Sequence, residues 1–411
     1  MKTKCYVIVG AGQAGCNAAK ALRTGDPESK IILIGEEPYV PYERPHLSKG
    51  FLSGTVELDQ LLVVKADYFD ANKISLLKSS MVVSIDQNMK EVKLSNGECL
   101  LYDKLLLTTG SKPRQLKIPG SKLKGIHYLR TLDQAKALHD HLAVASHLVI
   151  IGGGFIGLEI ASIARQYKKC VVTVVEAGNM ILQRGVTKEM REHIHQLHLL
   201  HGVNFLFNKS ITTFLGDDQV ASVEFQNKEI LEADCVVIGI GVEPRTELAQ
   251  DAGLAIQNGI VVNEYCETST VDIFAAGDVT SQWNAQLDQF IRLESWQTAQ
   301  MQSVCAAQNM LGIATKYNQV PWFWTDQYGV NIQLVGVISS GEKLVYRRFK
   351  DNNFIYFYFN NQKLCGAFGF NTGKYIRATQ KLLEQGISPD PILLANPEQD
   401  LKKLLKPKKK K

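Results

Sequence analysis

One local grammar occurs twice in this chain and constrains its fold more than any other feature. Tyr6-Val-Ile-Val9 is a short β-branched run that leads straight into Gly10-Ala-Gly12-Gln-Ala14-Gly15. A helical stretch from Cys16 to Arg23, a turn at Asp26-Pro27, a second apolar run from Ile31 to Ile34 and an acid, Glu36, follow. The same order returns with Leu148 to Ile151, Gly152-Gly-Gly154-Phe-Ile-Gly157, a helix from Leu158 to Tyr167, the run Val171 to Val175 and Glu176. Each part has a physical duty. The first glycine permits a tight turn, the second lets a pyrophosphate reach the backbone, and the third lets helix and strand close up. The helix start then offers unpaired N–H groups and the positive end of the dipole. The acid, roughly two dozen residues on, is placed for ribose hydroxyls. A lone glycine-rich turn says little, but two copies with strand, helix and acid in order predict two dinucleotide sites.

Charge excludes another class of function. The 411 residues carry a formal net charge of +5, but seven lysines crowd between Lys402 and Lys411. With those set aside, 39 basic residues face 41 acidic ones, so a generally basic nucleic-acid surface is not expected. No stretch reaches the ~18 uncharged apolar residues of a membrane span. The N-terminal apolar run meets glycines too soon for a secretory signal. The eight cysteines are scattered without CxxC or metal-like spacing, which predicts reduced thiols in a cytoplasm and no metal centre.

Between and beyond the two copies, Ile85 to Leu94 alternates as a hairpin, and Leu105 to Leu107 runs into Thr108-Thr-Gly110. Cys235 to Gly241 and Ile273 to Gly277 are further apolar runs ending in glycine. From about Pro321 the pattern changes to aromatic-rich strands, Asn331 to Val337, Leu344 to Phe349, Phe354 to Phe359 and Leu364 to Phe370. Asn360-Asn361 is read as the last turn, and Tyr375 to Gln385 as an amphipathic helix.

Two nucleotide sites point to a flavoprotein, and the motifs narrow that further. Tyr42-Glu-Arg44-Pro45 with Leu47-Ser-Lys49, Thr108-Thr-Gly110 and Tyr128-Leu-Arg130-Thr131 come first. Gly152 to Glu159, Gly239-Ile-Gly241, Ala276-Gly-Asp278, Glu294-Ser-Trp296 and Pro321-Trp-Phe-Trp324-Thr-Asp326 follow. Together they resemble the FAD-dependent NADH:ferredoxin or rubredoxin reductases of oxygenase systems, with apoptosis-inducing factor as a relative. The resemblance implies an α/β fold: two Rossmann-like dinucleotide-binding domains on a glutathione-reductase-like two-nucleotide scaffold, plus a C-terminal α+β domain. It places the FAD-binding domain at 1–113 and 243–319, the NAD-binding domain at 114–242 and the C-terminal domain at 320–396, with a flexible basic tail at 397–411.

By the same resemblance Gly10, Gly12, Ala14 and Gly15 lie against the FAD pyrophosphate, and Glu36 takes the adenosine ribose. Arg44, Lys49, Val82, Arg130, Asp278 and Trp296 complete the FAD contacts. Gly152, Gly154, Gly157, Glu159, Glu176 and Gly241 serve NADH. Glu159 is expected near the nicotinamide and paired with Lys49, which would hold positive charge where the flavin accepts a hydride. Lys49 and Glu159 are thus candidate catalytic residues, and the resemblance adds Trp324 from a segment that places a tryptophan beside the flavin, with core packing as the other reading of the Trp322/Trp324 pair. The carboxylate of Glu176, with no arginine in Ala177-Gly-Asn179, favours NADH over NADPH.

Disulfide reductases on this scaffold need a cysteine pair soon after the first acid, and Pro41 to Lys49 has none. The expected activity is therefore hydride transfer from NADH to FAD, then single electrons to a small iron–sulfur partner, ferredoxin or rubredoxin, docked near the third domain. A soluble NADH:quinone reductase and an NADH-sensing protein similar to apoptosis-inducing factor are the alternatives. The histidines at 193, 195, 198 and 201 are expected on the wet face of a helix striped by Met190, Ile194, Leu197 and Leu200. The lysine tail is a solvated end, with weak contact to an acidic surface as its other use.

Overall fold

The computed structural model describes residues 3–168, 170–183, 185–284, 289–338, 343–351 and 353–405. The chain divides into two compact units, each assembled from three segments. The first takes Met1–Pro45, Glu57–Lys112 and Val242–Gln319; the second takes His46–Val56, Pro113–Gly241 and Val320–Lys411.

A five-stranded parallel sheet organises the first unit, in the order Ile273–Ala275, Lys104–Leu107, Cys5–Val9, Lys30–Ile34, Ile74–Leu77. Its strands read as continuous apolar runs because both faces are covered. On one face Ile8, Ile31 and Leu33 pack with Cys16, Ala19 and Leu22 of the helix Gln13–Gly25 and with Ala306 and Met310 of the helix Trp296–Met310. On the other, Val7, Val9 and Ile32 pack with Val82, Val92 and Leu94 of a small antiparallel sheet. The alternation from Ile85 is the hairpin of that sheet, turned where the Asp86 side chain accepts from the backbone N–H of Asn88 and Met89.

The second unit repeats the plan with Asn204–Phe207, Val171–Glu176, His147–Ile151, Cys235–Ile238 and Ile126–His127, again parallel. It also holds a five-stranded antiparallel sheet, Trp322–Gln327, Val330–Gly336, Lys363–Phe370, Phe354–Asn360 and Lys343–Arg348, covered by the helix Gly373–Glu384. Trp322–Gln327 is a strand that the aromatic pattern alone does not delimit. The last hairpin turns at Asn361-Gln362, one residue later than expected, because both carry the positive φ (48° and 61°) that a two-residue loop requires.

Two expectations are corrected here. The segment from 397 is seated as far as 405: Leu401 is 1% exposed and joins Leu404 and Leu405 against the core under the antiparallel sheet. The buried Arg347 donates through Nη2 to the carbonyls of Pro397 (2.6 Å) and Gln399 (2.7 Å). Leucines at i, i+3 and i+4 form an apolar stripe that the surrounding lysines mask. Residues 406–411 lie outside the described residues. The second correction is the histidine helix, Lys188–Leu200: its inner stripe runs Met190, Ile194, His198, while Leu200 is 82% exposed.

Candidate functional site

In the first unit the glycine turn has the three properties its sequence demands. Gly10 has φ +113°, and a Cβ there would stand 2.2 Å from the Thr108 carbonyl oxygen. Gly15 is as crowded, 2.0 Å from the Gly10 oxygen. Gly12, the N-cap of the helix Gln13–Gly25, has nothing within 4 Å of where its Cβ would be and no side-chain cap on its N–H groups. The turn is thus closed towards the protein at Gly10 and Gly15 and open at Gly12, a cradle that a single methyl would fill. Those uncapped N–H groups suit a pyrophosphate. FAD fits the residues present.

The other FAD candidates of this unit sit on several elements. Thr108 ties it down, its hydroxyl donating to the Val9 and Gly10 carbonyls at 3.1 and 2.8 Å. A Cβ on Gly277 would meet that of Ala14 at 3.3 Å, which brings Ala276-Gly-Asp278 to the helix start. Ser111 Oγ donates to Asp278 Oδ2 at 3.3 Å. Arg44 is held by Glu37 (2.6 Å) and Tyr42 (3.0 Å), and Tyr42 itself donates to Glu37. Trp296 opens its helix and donates through Nε1 to Glu43 at 3.3 Å. Val82 is buried at the start of its strand. Glu36 accepts from Arg245 at 2.6 Å across an exposed pair. Sequence reading missed Arg245 and Glu37, and it named Thr108 only within Thr108-Thr-Gly110, without a role.

The second glycine turn repeats the geometry inside the second unit. Gly152 has φ +103° and closes on the Gly239 oxygen (2.5 Å to a built Cβ), and Gly157 closes on the Gly152 oxygen (2.6 Å). Gly154 has only the Gly239 oxygen within reach, at 3.9 Å. Gly241 accepts from the Arg114 N–H at 3.0 Å. Glu176 ends its strand over the turn, each oxygen accepting one backbone N–H, from Gly153 at 2.8 Å and Gly178 at 2.9 Å. Arg130 belongs to this unit as well; its N–H donates to Gln134, and Thr131 caps the helix Leu132–Leu142.

One turn into the helix that follows, Glu159 is 4% exposed and carries three donors. Lys49 Nζ lies 2.7 Å from Oε1, Thr325 Oγ1 donates to Oε1 at 2.6 Å, and Ser48 Oγ donates to Oε2 at 2.5 Å. The network continues inward: Gln327 Nε2 donates to Thr325 Oγ1 at 3.0 Å, Gln327 Oε1 meets His198 Nε2 at 2.7 Å, and Tyr328 OH meets His198 Nδ1 at 3.0 Å. Burial pushes the His198 pKa down to about 4, so it works as a neutral ring. The period of two in Trp322–Gln327 sends Thr325 and Gln327 to this network and Trp324 to the other face, where it stacks on Trp322 at 4.9 Å. Lys49 and Glu159 were legible as a pair; Ser48, Thr325, Gln327, Tyr328 and His198 were not, since nothing local joins them.

The eight cysteines are free thiols. Cys266 and Cys305 lie together in the first core, donating to the carbonyls of Gln302 and Thr315. None falls between Cys16 and Cys99.

Comparison with known proteins agrees with this architecture. A reductase C-terminal family model matches residues 322–405. Rhodocoxin reductase of Rhodococcus erythropolis is 38% identical over 398 residues, 96% of this chain and 93% of its own. The ferredoxin–NAD(+) reductase component of the anthranilate 1,2-dioxygenase system of Burkholderia cepacia is 38% identical over 98% of this chain and 100% of its own. The crystal structure of the ferredoxin reductase for the CYP199A2 system of Rhodopseudomonas palustris superposes with a TM-score of 0.94 at 33% identity, covering 98% and 100% of the two chains. The pyridine nucleotide-disulphide oxidoreductase model matches residues 4–303, and the chain belongs to that family.

Proposed function

We propose that this protein is an FAD-dependent oxidoreductase that takes a hydride from NADH and passes single electrons to a small iron–sulfur carrier, a ferredoxin or rubredoxin. The observation that carries the reading is a pair of glycine cradles, each open at its middle glycine, with no cysteine between Cys16 and Cys99 to receive electrons internally. Relatives named as reductases of rhodocoxin and of a dioxygenase ferredoxin support an external protein acceptor. Bound FAD supplies the exchange between a two-electron donor and one-electron acceptors.

The chain's own residues do the rest. The N–H groups at Gly12 take the pyrophosphate, Glu36 the adenosine ribose, and Arg44 and Asp278 the flavin half, with Val82, Arg130 and Trp296 as further contacts. Gly152, Gly154, Gly157 and Gly241 form the bed for NADH, and Glu176 accepts from its free 2′-hydroxyl and repels a 2′-phosphate. Lys49 is the positioned cation of the hydride step, oriented by Glu159, which Ser48 and Thr325 fix in turn. Trp324 is the tryptophan beside the flavin. We place the protein in the cytoplasm on the strength of its eight unpaired thiols. Among the described residues no helix is long and apolar enough to cross a membrane.

The test is anaerobic stopped-flow absorbance of the purified protein mixed with NADH and then with oxidised ferredoxin or rubredoxin. Fast bleaching of the flavin band followed by fast recovery is the expected outcome. Protein without flavin, or flavin that NADH leaves unbleached, refutes the enzyme. A persistent long-wavelength charge-transfer band that no carrier discharges transfers the case to an NADH sensor, and preference for quinone to a quinone reductase.

A further inference from the structure

We propose that His127, His141 and Cys235, in the second unit, form a binding site for one thiophilic divalent cation of the zinc type. One donor atom from each residue lies within 4.8 Å of the others, and His127 Nε2 stands 2.8 Å from His141 Nδ1. Zinc with ligands at about 2.0–2.3 Å holds their donor atoms about 3.3–3.6 Å apart. Binding therefore asks the two rings to part by about half an ångström and the sulfur to close in by about one. The frame around them is fixed. Ile126–His127 and Cys235–Ile238 are hydrogen-bonded parallel neighbours, and His141 sits in the last turn of the capped helix Leu132–Leu142.

The chemistry of the set suits a borderline-soft cation. Burial, with His141 adding to it, pushes the His127 pKa down to about 4, so its ring is in the neutral form that ligates. The Cys235 sulfur is the soft donor of the set, and its thiol proton leaves as the cation binds. Asp234 is no competitor, because its carboxylate oxygens accept the N–H groups of Ser146 and His147. Both histidines are part-exposed while Cys235 is buried, which gives the cation a way in and leaves a fourth position for water. The three residues lie too far apart in sequence for any spacing rule to find them.

The experiment uses untagged, FAD-loaded protein, stripped with a chelator, incubated with zinc chloride and gel-filtered. One equivalent of zinc is expected to remain, with X-ray absorption at the zinc edge showing one sulfur near about 2.3 Å and the remaining ligands nitrogen or oxygen. His141→Gln and Cys235→Ala should each weaken zinc in competition with a chromophoric chelator by at least the ~10–100-fold that losing even an outer partner costs. Wild-type protein that keeps no zinc, variants that bind it equally well, or an edge spectrum without sulfur would overturn the site. If Cys235→Ala fails to fold, His141→Gln, altered at a part-exposed helix end, decides alone.

Discussion

Replacing Lys49 by Met tests the central pair directly. Lys49 Nζ and Glu159 Oε1 are 2.7 Å apart, with side chains only 15% and 5% exposed, so neither charge can fall back on water. Lys49→Met leaves a buried carboxylate with two hydroxyl donors and no counter-charge, at a cost of ~3–5 kcal/mol. Glu159→Leu removes the carboxylate that Lys49 pairs with, at a similar cost, and the acceptor of Ser48 and Thr325, ~1 kcal/mol for each hydroxyl. The double variant buries no unpaired charge and should lose only the two hydroxyl bonds, ~2 kcal/mol, against a sum of singles near ~10. At roughly 2–4 °C per kcal/mol for a unit of this size, Lys49→Met should melt about 10 °C below the parent, and the double variant only about 5 °C below it. Differential scanning calorimetry of all four proteins, each saturated with FAD, measures the cycle. If the double variant loses as much as the two singles combined, the pair is not coupled and the geometry argument fails. Every variant should also reduce its flavin slowly with NADH, by about 100-fold or more if Lys49 acts as a positioned cation.

Three further outcomes follow from the same coordinates. Gly12→Ala has open space for its methyl, so the apoprotein should melt within ~1 kcal/mol of the parent while the absorbance ratio at the flavin band shows FAD lost; full flavin content would show that the cradle is not its seat. Glu36→Ala removes a charged acceptor worth ~1.5–3 kcal/mol, so fluorescence titration should find FAD about 10–100-fold weaker; a Kd unchanged within error would take the ribose contact away from Glu36. Burial pushes the His198 pKa down to about 4 against ~6.5 when unfolded, so stability is intact above pH 7 and falls as pH drops towards 4, with a loss of about 2 kcal/mol by pH 5. His198→Gln should therefore flatten stability between pH 7.5 and 5 in urea melts; an undiminished slope would assign the acid sensitivity elsewhere.

What the sequence discloses and what it hides divide along the range of the interaction. The glycine turns are legible because each requirement is local: Gly10 needs its positive φ for a turn, and Gly12 needs bare backbone beside a helix start. Glu36 and Glu176 are legible because a fixed length of strand and helix returns the chain beside its own turn. Lys49 and Glu159, more than a hundred residues apart, are joined in advance only by a resemblance, since no periodicity links them. Thr325, Gln327 and His198 show why periodicity cannot go further. Counting along Lys188–Leu200 identifies an apolar stripe but treats every histidine as wet; it cannot see that a strand bearing Gln327 arrives to satisfy His198. The seating of Leu401 failed to register for the converse reason, because charge density about the leucines outweighed their spacing. A buried polar side chain is affordable only where the fold brings it a partner, so polarity in a sequence marks exposure only until topology is known. Glu159 is the sharpest case. A carboxylate inside a helix that is otherwise apolar reads as an anomaly until Ser48, Lys49 and Thr325 converge on it, and the convergence of three donors from two other chain segments is what makes it a site.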